Sequence, residues 1–316
     1  MRIRNFASSD YQSIVDIHNT VYPNRSMTVQ AWVEADKQRK PKYKHHRWVA
    51  LEDEHVVGFG YYSQMIFDYH PRKFTIAIEV LPDYRRRGIG SALYDRIMVG
   101  LRPFAPHKLR ADGYGNLPEG VRFLQARGFE EVFRETPLHL DVMAFDPTPY
   151  SGLEEKLSAQ GIEIKTLRDL DDDPNRDRKV FDLYWELTRD VPSEGEIAEM
   201  DFNDWVDWTL KNPLVPHDGY FIAVQGDEYI GISEFGKYRQ SDALQAGLVG
   251  VKRAFRRRGI ALAMQIRGIA YARKNGHPLI KTSSAVGNIP MQSLYERLGF
   301  ARQPDWIQFE KVCREE

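Results

Sequence analysis

Apolar and polar positions follow a strand-like period in some segments and a helix-like period in others. The predicted strands and helices then occur in the same order twice along the chain. Short apolar or alternating runs, such as residues 47–52, predict strands, whereas the four-residue spacing of Ile89, Leu93 and Ile97 predicts a helix. The order predicted for residues 1–145 is β-α-α-β-β-β-α-β-α-β-β. The remainder of the chain has the same order, so we predict an α+β fold built on mixed α/β sheets.

A constant spacing between matching motifs indicates that this order is a true repeat. Gly88 matches Gly259 and Gly128 matches Gly299, and each pair is 171 positions apart, since 259 − 88 = 171 and 299 − 128 = 171. This period is far longer than the roughly 50 residues of solenoid repeats, so two copies of one domain are predicted. The predicted parts are an N-terminal domain at 1–145, a Pro/Gly/Ser-containing linker with a short helix at 146–160, and a C-terminal domain at 161–316.

Each copy contains an arginine- and glycine-rich turn where a predicted strand ends and a predicted helix begins. The turn reads Arg85-Arg-Arg-Gly-Ile-Gly90 in the first copy and Arg256-Arg-Arg-Gly-Ile-Ala261 in the second. The first N–H groups of a helix lack internal partners, glycine lets an anion reach the backbone, and guanidinium groups add paired donors. Each turn is therefore a candidate diphosphate site, although neither carries a complete P-loop or dinucleotide-binding pattern.

Composition narrows the function without identifying it. Of the 316 residues 42% are hydrophobic and 28% charged, as in soluble globular proteins, and the formal net charge is −1. This charge gives no global attraction to nucleic acid or to a membrane, and we expect neither as a partner. The single cysteine favours a reducing compartment, and the first residues lack an apolar signal segment, so we predict a cytoplasmic protein. The nine histidines show no metal-type clustering with that cysteine, so no metal site is predicted.

Two further motifs give the chain a family resemblance. Phe123-Leu-Gln-Ala-Arg-Gly-Phe129 follows the first turn, and Tyr295-Glu-Arg-Leu-Gly-Phe300 follows the second. Together with the two turns and the element order, these motifs resemble the GCN5-related N-acetyltransferase (GNAT) superfamily in both halves of the chain. The layout is similar to that of the tandem, two-domain members.

The resemblance implies an acetyl-CoA-dependent N-acetyltransferase that acts on a primary amine of a small molecule by direct attack in a ternary complex. It implies that the backbone N–H groups of the turns hold the CoA diphosphate and that pantetheine lies where the central strands part. Asn288 is expected to touch pantetheine, unless it only caps the helix that follows. The implied acetyl-CoA-binding residues are Val80, Arg85, Arg86, Arg87, Gly88, Ile89, Gly90 and Ser91, and Val251, Arg256, Arg257, Arg258, Gly259, Ile260, Ala261 and Asn288.

The resemblance also implies an acid that protonates the departing thiolate. Tyr295 stands four residues before Gly299, where the superfamily commonly has this tyrosine, while the first copy has Leu124 at the matching place. The C-terminal half is therefore favoured as the catalytic one. The alternative is that Tyr295 is an aromatic core residue.

An ammonium acceptor must lose a proton before it attacks, so a carboxylate base is expected. Glu79 lies on a predicted strand whose alternation turns Ile78 and Val80 to the other face, which makes it a candidate base. The second copy has Gly250 at that place, and its nearest carboxylate on a central strand is Glu234. Both glutamates are alternatively structural strand residues.

Several choices stay open at the level of sequence. The acidic stretch 190–201 with Trp205 and Trp208 suits a cationic acceptor, and the basic run 37–47 suits a CoA phosphate or an anionic partner. For both segments a solvated loop is the favoured interpretation. One or both halves can alternatively be a CoA-binding module without turnover. DNA binding through the triple arginines is disfavoured by the net charge. The chain is expected to be a monomer or a homodimer.

Overall fold

The computed structural model describes residues 1–64, 69–193, 200–238 and 241–313, and the chain divides into two compact units. The first unit comprises Met1–Val132 together with Ile307–Glu316, and the second comprises Phe133–Trp306. Each unit has a mixed sheet with helices packed on it, which confirms the predicted fold class. Among the described residues, no helix is both long enough and apolar enough to cross a membrane.

The first unit contains most of the first sequence copy. Its strands are β1 (Arg2–Asn5), β2 (His45–Glu52), β3 (His55–Ser63), β4 (Lys73–Val80) and β5 (Lys108–Tyr114). Its helices are α1 (Tyr11–Val21), α2 (Val29–Gln38), α3 (Ile89–Leu101) and α4 (Pro118–Gln125). Strands β1 to β4 pair antiparallel in succession, and β5 pairs parallel to β4.

The second sequence copy follows one long closing strand of the first copy, β6 (Glu130–Asp141). Its strands are β7 (Ile162–Thr166), β8 (Tyr220–Gln225), β9 (Glu228–Tyr238), β10 (Ser241–Val251), β11 (Leu279–Ala285), β12 (Ala301–Arg302) and β13 (Trp306–Val312). Its helices are α5 (Leu153–Ser158), α6 (Arg176–Thr188), α7 (Phe202–Trp205), α8 (Ile260–Lys274) and α9 (Ile289–Arg297). The predicted element order holds for residues 161–316, whereas β6 alone replaces the two closing strands predicted for the first copy.

The closing strands are exchanged between the two sequence copies. The sheet order in the first unit is β1-β2-β3-β4-β5-β13, and in the second it is β7-β8-β9-β10-β11-β6. Both closing strands bury alternate residues, Leu138 and Leu140 in β6 and Ile307 and Phe309 in β13, so each can complete either sheet. The compact units therefore divide the chain at 132 and 306, whereas the sequence repeat places the boundaries at 145 and 161.

Helices cover both faces of each sheet. In the first unit α3 buries Ile89, Leu93 and Ile97 on one face, as its spacing predicts, and α1 buries Ile14 and Ile17 in a separate cluster. In the second unit, α8 and α6 contribute to two corresponding clusters. Because helices cover both faces of each sheet, a cleft can open only where two neighbouring central strands separate.

The parallel pairing of the central strands is short in both units. Strands β4 and β5 pair only from Lys73–Lys108 to Thr75–Arg110, although both continue beyond these residues. Strands β10 and β11 pair only at Leu244–Ile280 and Gln245–Lys281. The carboxyl-terminal ends of β4 and β10, which lead into the two arginine-rich turns, are therefore not bonded to their parallel neighbours.

The exchanged strand yields a test of stability. Phe309 is fully buried in the core of the first unit, while Val312 in the same strand is 73% exposed. We expect Phe309→Ala to lower the free energy of unfolding by about 3–5 kcal/mol, because it removes a buried ring and leaves a cavity. Val312→Ala, the matched control, should change it by less than about 0.5 kcal/mol. Urea unfolding followed by circular dichroism measures both, and equal effects would contradict the placement of β13 in this core.

Candidate functional site

The two arginine-rich turns have the same backbone conformation. The second arginine of each triplet has a positive φ, 61° at Arg86 and 67° at Arg257, and the glycines have φ of 84° at Gly88 and 90° at Gly259. Glycine adopts this left-handed conformation at little cost immediately before a helix. In each turn the first arginine donates its Nε–H to the carbonyl at the end of the preceding strand, Arg85 to Val80 at 3.1 Å and Arg256 to Val251 at 2.8 Å. These first arginines therefore fasten the turns to the sheet.

The third arginine of each triplet lies against its own turn. Arg87 stacks on the ring of Tyr84 at 5.0 Å, and Arg258 stacks on Phe255 at 5.3 Å. Ile89 and Ile260, which begin the following helices, are buried in the cores. The second and third arginines of both triplets are exposed, and so is Gly88, whereas Gly259 is half-buried.

The first turn is open to solvent. A Cβ atom added at Gly88 would meet nothing within 4 Å, and Ser91 in the first turn of α3 is exposed. Arg127 donates to Ser91 Oγ at 2.8 Å and lies 3.5 Å above the ring of Phe123. A groove of about 650 Å³ adjoins these residues, lined by Arg86, Ser91, Glu119, Arg122, Phe123, Ala126 and Arg127. Three guanidinium groups therefore border a groove at a helix start.

This groove adjoins a cavity between the parted ends of β4 and β5. The cavity measures about 90 Å³ and shares Phe123 with the groove. Its apolar side includes Leu124 and Phe309, and its other side includes Tyr22 and Glu79. The residues on its apolar side belong to the cluster on one face of the sheet, and Tyr22 follows Val21, which packs on the cluster on the other face. The cavity is therefore lined by a ring of the arginine-lined groove and by a buried carboxylate.

Glu79 is 6% exposed and is held by His18 of α1. His18 Nδ1 lies 3.1 Å from both carboxylate oxygens, and its Nε2 lies 3.1 Å from the carbonyl oxygen of Arg25. A carbonyl only accepts, so Nε2 carries a hydrogen, and a single further proton lies between Nδ1 and Glu79. Burial raises the pKa of Glu79, and the contact with His18 offsets only part of that rise.

The opposing effects on His18 give a net rise of its pKa. Burial acts to lower the pKa of His18, but the Glu79 carboxylate and the Arg25 carbonyl together outweigh it. Burial also raises the pKa of Tyr61 to about 12 and that of Tyr22 further, and the charge of Glu79 adds to both. Both phenols consequently remain protonated in the neutral range. Neither His18 nor Tyr22 was predicted from the sequence; their i, i+4 spacing on α1 is the one signal that places them together.

The second unit does not reproduce this carboxylate. Its residue at the position of Glu79 is Gly250, where an added Cβ would lie 3.2 Å from Leu187 of α6. Glu234 is half-buried and accepts the N–H of Leu248 at 2.9 Å, at a bulge in β10. Burial raises the pKa of Glu234. An added Cβ at Gly247 would collide with its carboxylate, so Glu234 is packed into the bulge.

Tyr295 is placed in the core of the second unit. It is 2% exposed, and its ring lies 4.9 Å from that of Phe300. Its hydroxyl accepts a hydrogen bond from Thr282 Oγ1 at 3.4 Å, and burial raises its pKa to about 12. Asn288 accepts the N–H of Met291 at 3.4 Å, which is the capping contact considered for it.

The second turn carries its own carboxylate and an apolar cover. Asp190 pairs with Arg253 and Arg256, which lowers the pKa of Asp190 to about 2. Leu153 lies 3.0 Å from the position of a Cβ on Gly259. Of the predicted acidic stretch 190–201, residues 194–199 lie outside the described residues, and Asp201 caps α7. Trp205 is a core residue, and Trp208 is 57% exposed. Among the described residues, no three His, Cys, Asp or Glu side chains are grouped as metal ligands.

Comparison with known proteins identifies relatives along the whole chain. The sequence pattern of the acetyltransferase (GNAT) family matches residues 11–129 and 178–300. The chain is 22% identical over 270 residues to a mycothiol acetyltransferase of Catenulispora acidiphila, covering 84% of this chain and 80% of the relative. It is 25% identical over 280 residues to a mycothiol acetyltransferase of Acidothermus cellulolyticus, covering 84% and 78%.

Solved structures share the fold. A GCN5-related N-acetyltransferase from Sphaerobacter thermophilus superimposes with a TM-score of 0.73 at 16% identity, covering 99% of this chain and 96% of that one. A tandem GNAT protein from the clavulanic acid biosynthesis pathway superimposes with a TM-score of 0.68 at 18% identity, covering 100% and 99%. At these identities, the likeness establishes the fold.

The contact between His18 and Glu79 predicts how His18 titrates. We expect the pKa of His18 to lie above its usual 6.5, and Glu79→Gln to bring it below 6.5 because burial alone lowers it. The stabilisation from this pair is then present below pH 6.5 and lost as pH rises through the folded pKa. NMR titration of the His18 ring measures the shift, with Glu34→Gln on the exposed face of α2 as control. A His18 pKa unaffected by Glu79→Gln would contradict the pairing.

Proposed function

Because the chain belongs to the acetyltransferase (GNAT) family and is an N-acetyltransferase, we propose that it moves an acetyl group from acetyl-CoA to a primary amine of a small molecule. The observation that carries this proposal is the cavity of the first unit, which shares Phe123 with the arginine-lined groove and is also lined by Glu79. The relatives are named as mycothiol acetyltransferases, which supports a small molecule as acceptor.

The first unit suits acetyl-CoA on physical grounds. The open backbone at Gly88 and the N-terminus of α3 provide unpartnered N–H donors, and Arg86, Arg122 and Arg127 add positive charge for a diphosphate. Apolar side chains line that side of the cavity beyond Phe123, and they suit the methyl and methylene groups of pantetheine. We assign the turn and this cavity to CoA. When bound, acetyl-CoA would supply an activated thioester whose carbonyl carbon bonds to the acceptor nitrogen as the C–S bond breaks, and the departing thiolate would take up the second proton that this nitrogen loses.

On the other side of the cavity, Glu79 is placed to accept the acceptor's proton and His18 holds Glu79 in position. An ammonium that reaches Glu79 loses a proton to a carboxylate oxygen, while the proton already shared with Glu79 at 3.1 Å stays on His18 Nδ1. The carbonyl of Arg25 keeps Nε2 protonated, so both ring nitrogens of His18 act as donors and hold the carboxylate in place. The buried carboxylate is a stronger base than an exposed one, because burial raises its pKa. We propose Glu79 as the general base and His18 as the residue that positions it.

We place the catalytic centre in the first unit, in contrast to the expectation that favoured the C-terminal half. Leu187 fills the region beside Gly250, and Glu234 is bound within its own strand bulge. Tyr295 lies in the core with a hydroxyl bonded to Thr282. These contacts support a packing role for Tyr295. The competing hypothesis is that Tyr295 acts as the acid of a catalytic second half, and it predicts a different effect of substituting Tyr295.

Two variants distinguish the halves. We expect Glu79→Gln to lower kcat about 100-fold, the usual scale for loss of a general base, with acetyl-CoA affinity nearly unchanged. If the second half carries the chemistry, Tyr295→Phe should instead lower kcat about 10–100-fold. The measurement is release of free CoA thiol across a panel of amines, which also identifies the acceptor class.

Glu130→Gln, an exposed carboxylate outside the cavity, is the matched control for the loss of charge. Full activity in Glu79→Gln would exclude Glu79 as the base. Activity that depends on Tyr295 and not on Glu79 would transfer the catalytic centre to the second unit.

A further inference from the structure

The two turns share a backbone conformation, but their surroundings differ position by position. At the matching places in the groove, Ser91 and Arg127 are replaced by Leu262 and Leu298, since the repeat offset is 171. Ser91 is exposed, whereas Leu262 is 6% exposed and Leu298 is buried in the same core cluster. The polar pair that borders the first groove therefore corresponds to an apolar pair in the second unit.

A segment of the chain lies over this apolar pair. Residues 147–153, which we name the linker segment, lead from the end of β6 into α5. Leu153 packs on the cluster that contains Leu262 and Leu298, with its Cδ1 3.0 Å from the position of a Cβ on Gly259. The space above the second turn, which is empty around Gly88 in the first unit, is thus taken by an aliphatic side chain.

Polar contacts fix the linker segment at both ends. Tyr150 donates its hydroxyl hydrogen to the carbonyl oxygen of Arg297 in α9 at 2.6 Å, and the Arg297 guanidinium lies 5.5 Å over its ring. Glu154, directly after the segment, accepts from Arg267 of α8 at 2.8 and 2.5 Å. The segment is therefore attached to the two helices that correspond to the walls of the first groove, α3 and α4.

The charge of the second turn is also altered. Asp190 pairs with Arg253 and Arg256, and its pKa of about 2 keeps it ionised throughout the neutral range. A diphosphate at this turn would meet a carboxylate already bound to the arginines, which opposes its binding.

From the cover, the lost polar lining and the internal carboxylate, we infer that the linker segment occupies the second CoA-type groove, so that the chain binds one acetyl-CoA, in the first unit. This inference rests on the proposed function for the location of the bound CoA. The second turn therefore keeps the backbone conformation of the first, but the linker segment fills the space where CoA would bind.

Hydrogen exchange of the full chain, measured by mass spectrometry with and without CoA, tests the two turns separately. We expect CoA to slow exchange of amides 86–91 and to leave amides 257–262 unchanged, with one CoA bound per chain by equilibrium dialysis. Slower exchange at 257–262, or two CoA per chain, would overturn the inference. If CoA protected neither 86–91 nor 257–262, the proposed function would be contradicted, whereas a second groove closed to CoA would not.

A variant tests the cover itself. We expect Leu153→Ala to speed exchange of amides 257–262 severalfold without CoA, because the methyl groups over Gly259 are removed. Glu155→Ala, an exposed residue of the same helix, is the matched control. The circular dichroism spectrum confirms that each variant is folded. Unchanged exchange at 257–262 in folded Leu153→Ala would overturn the assignment of Leu153 as the cover.

Discussion

The site that we propose in the first unit depends on the early end of the parallel pairing between β4 and β5. In a fully paired sheet the backbone separates the side chains of the two faces. Here the last described pair is Thr75–Arg110, and the residues beyond it line one cavity from both faces. A groove built for anions on one face can therefore reach a carboxylate on the other. Without this parting, Glu79 would be an ordinary buried strand residue with a large desolvation cost and no access to substrate.

In the second unit the same parting is used for packing. Leu187 lies against Gly250, and Tyr295 lies between Thr282 and Phe300. Glu234 receives one backbone N–H, and burial raises its pKa, which favours a neutral carboxyl that costs less to bury. Each of these contacts removes space or charge that the first unit keeps. The two copies therefore share a backbone plan but differ in what their strand ends hold.

Sequence patterns predicted what depends on local spacing. The helical period of α3, the turns before Ile89 and Ile260, and the second-copy element order all follow from neighbouring residues. The exchange of β6 and β13 was not predictable from the sequence. Both strands have the same apolar alternation, and nothing in a strand's own sequence specifies which strand it pairs with. His18 was missed because helical periodicity identifies only the apolar face of a helix. Its role follows from its contact with Glu79, which lies on a strand 61 positions away. Leu153 was missed for the same reason, since its contact lies across more than a hundred residues.

The two copies differ at the positions that line the first groove, where Ser91 and Arg127 correspond to Leu262 and Leu298. Under the proposed function a single open groove suffices, and burying a leucine side chain contributes about 1.5–3 kcal/mol relative to leaving it exposed. The first unit keeps Ser91, Arg127 and a buried Glu79 at the expense of that stability, as functional sites commonly do. The first unit nevertheless needs part of the second sequence copy, because its sheet includes the exchanged strand β13. Phe309 comes from the end of the chain and lines the cavity beside Glu79, so a chain cut at residue 145 would lack one wall of the site that it contains.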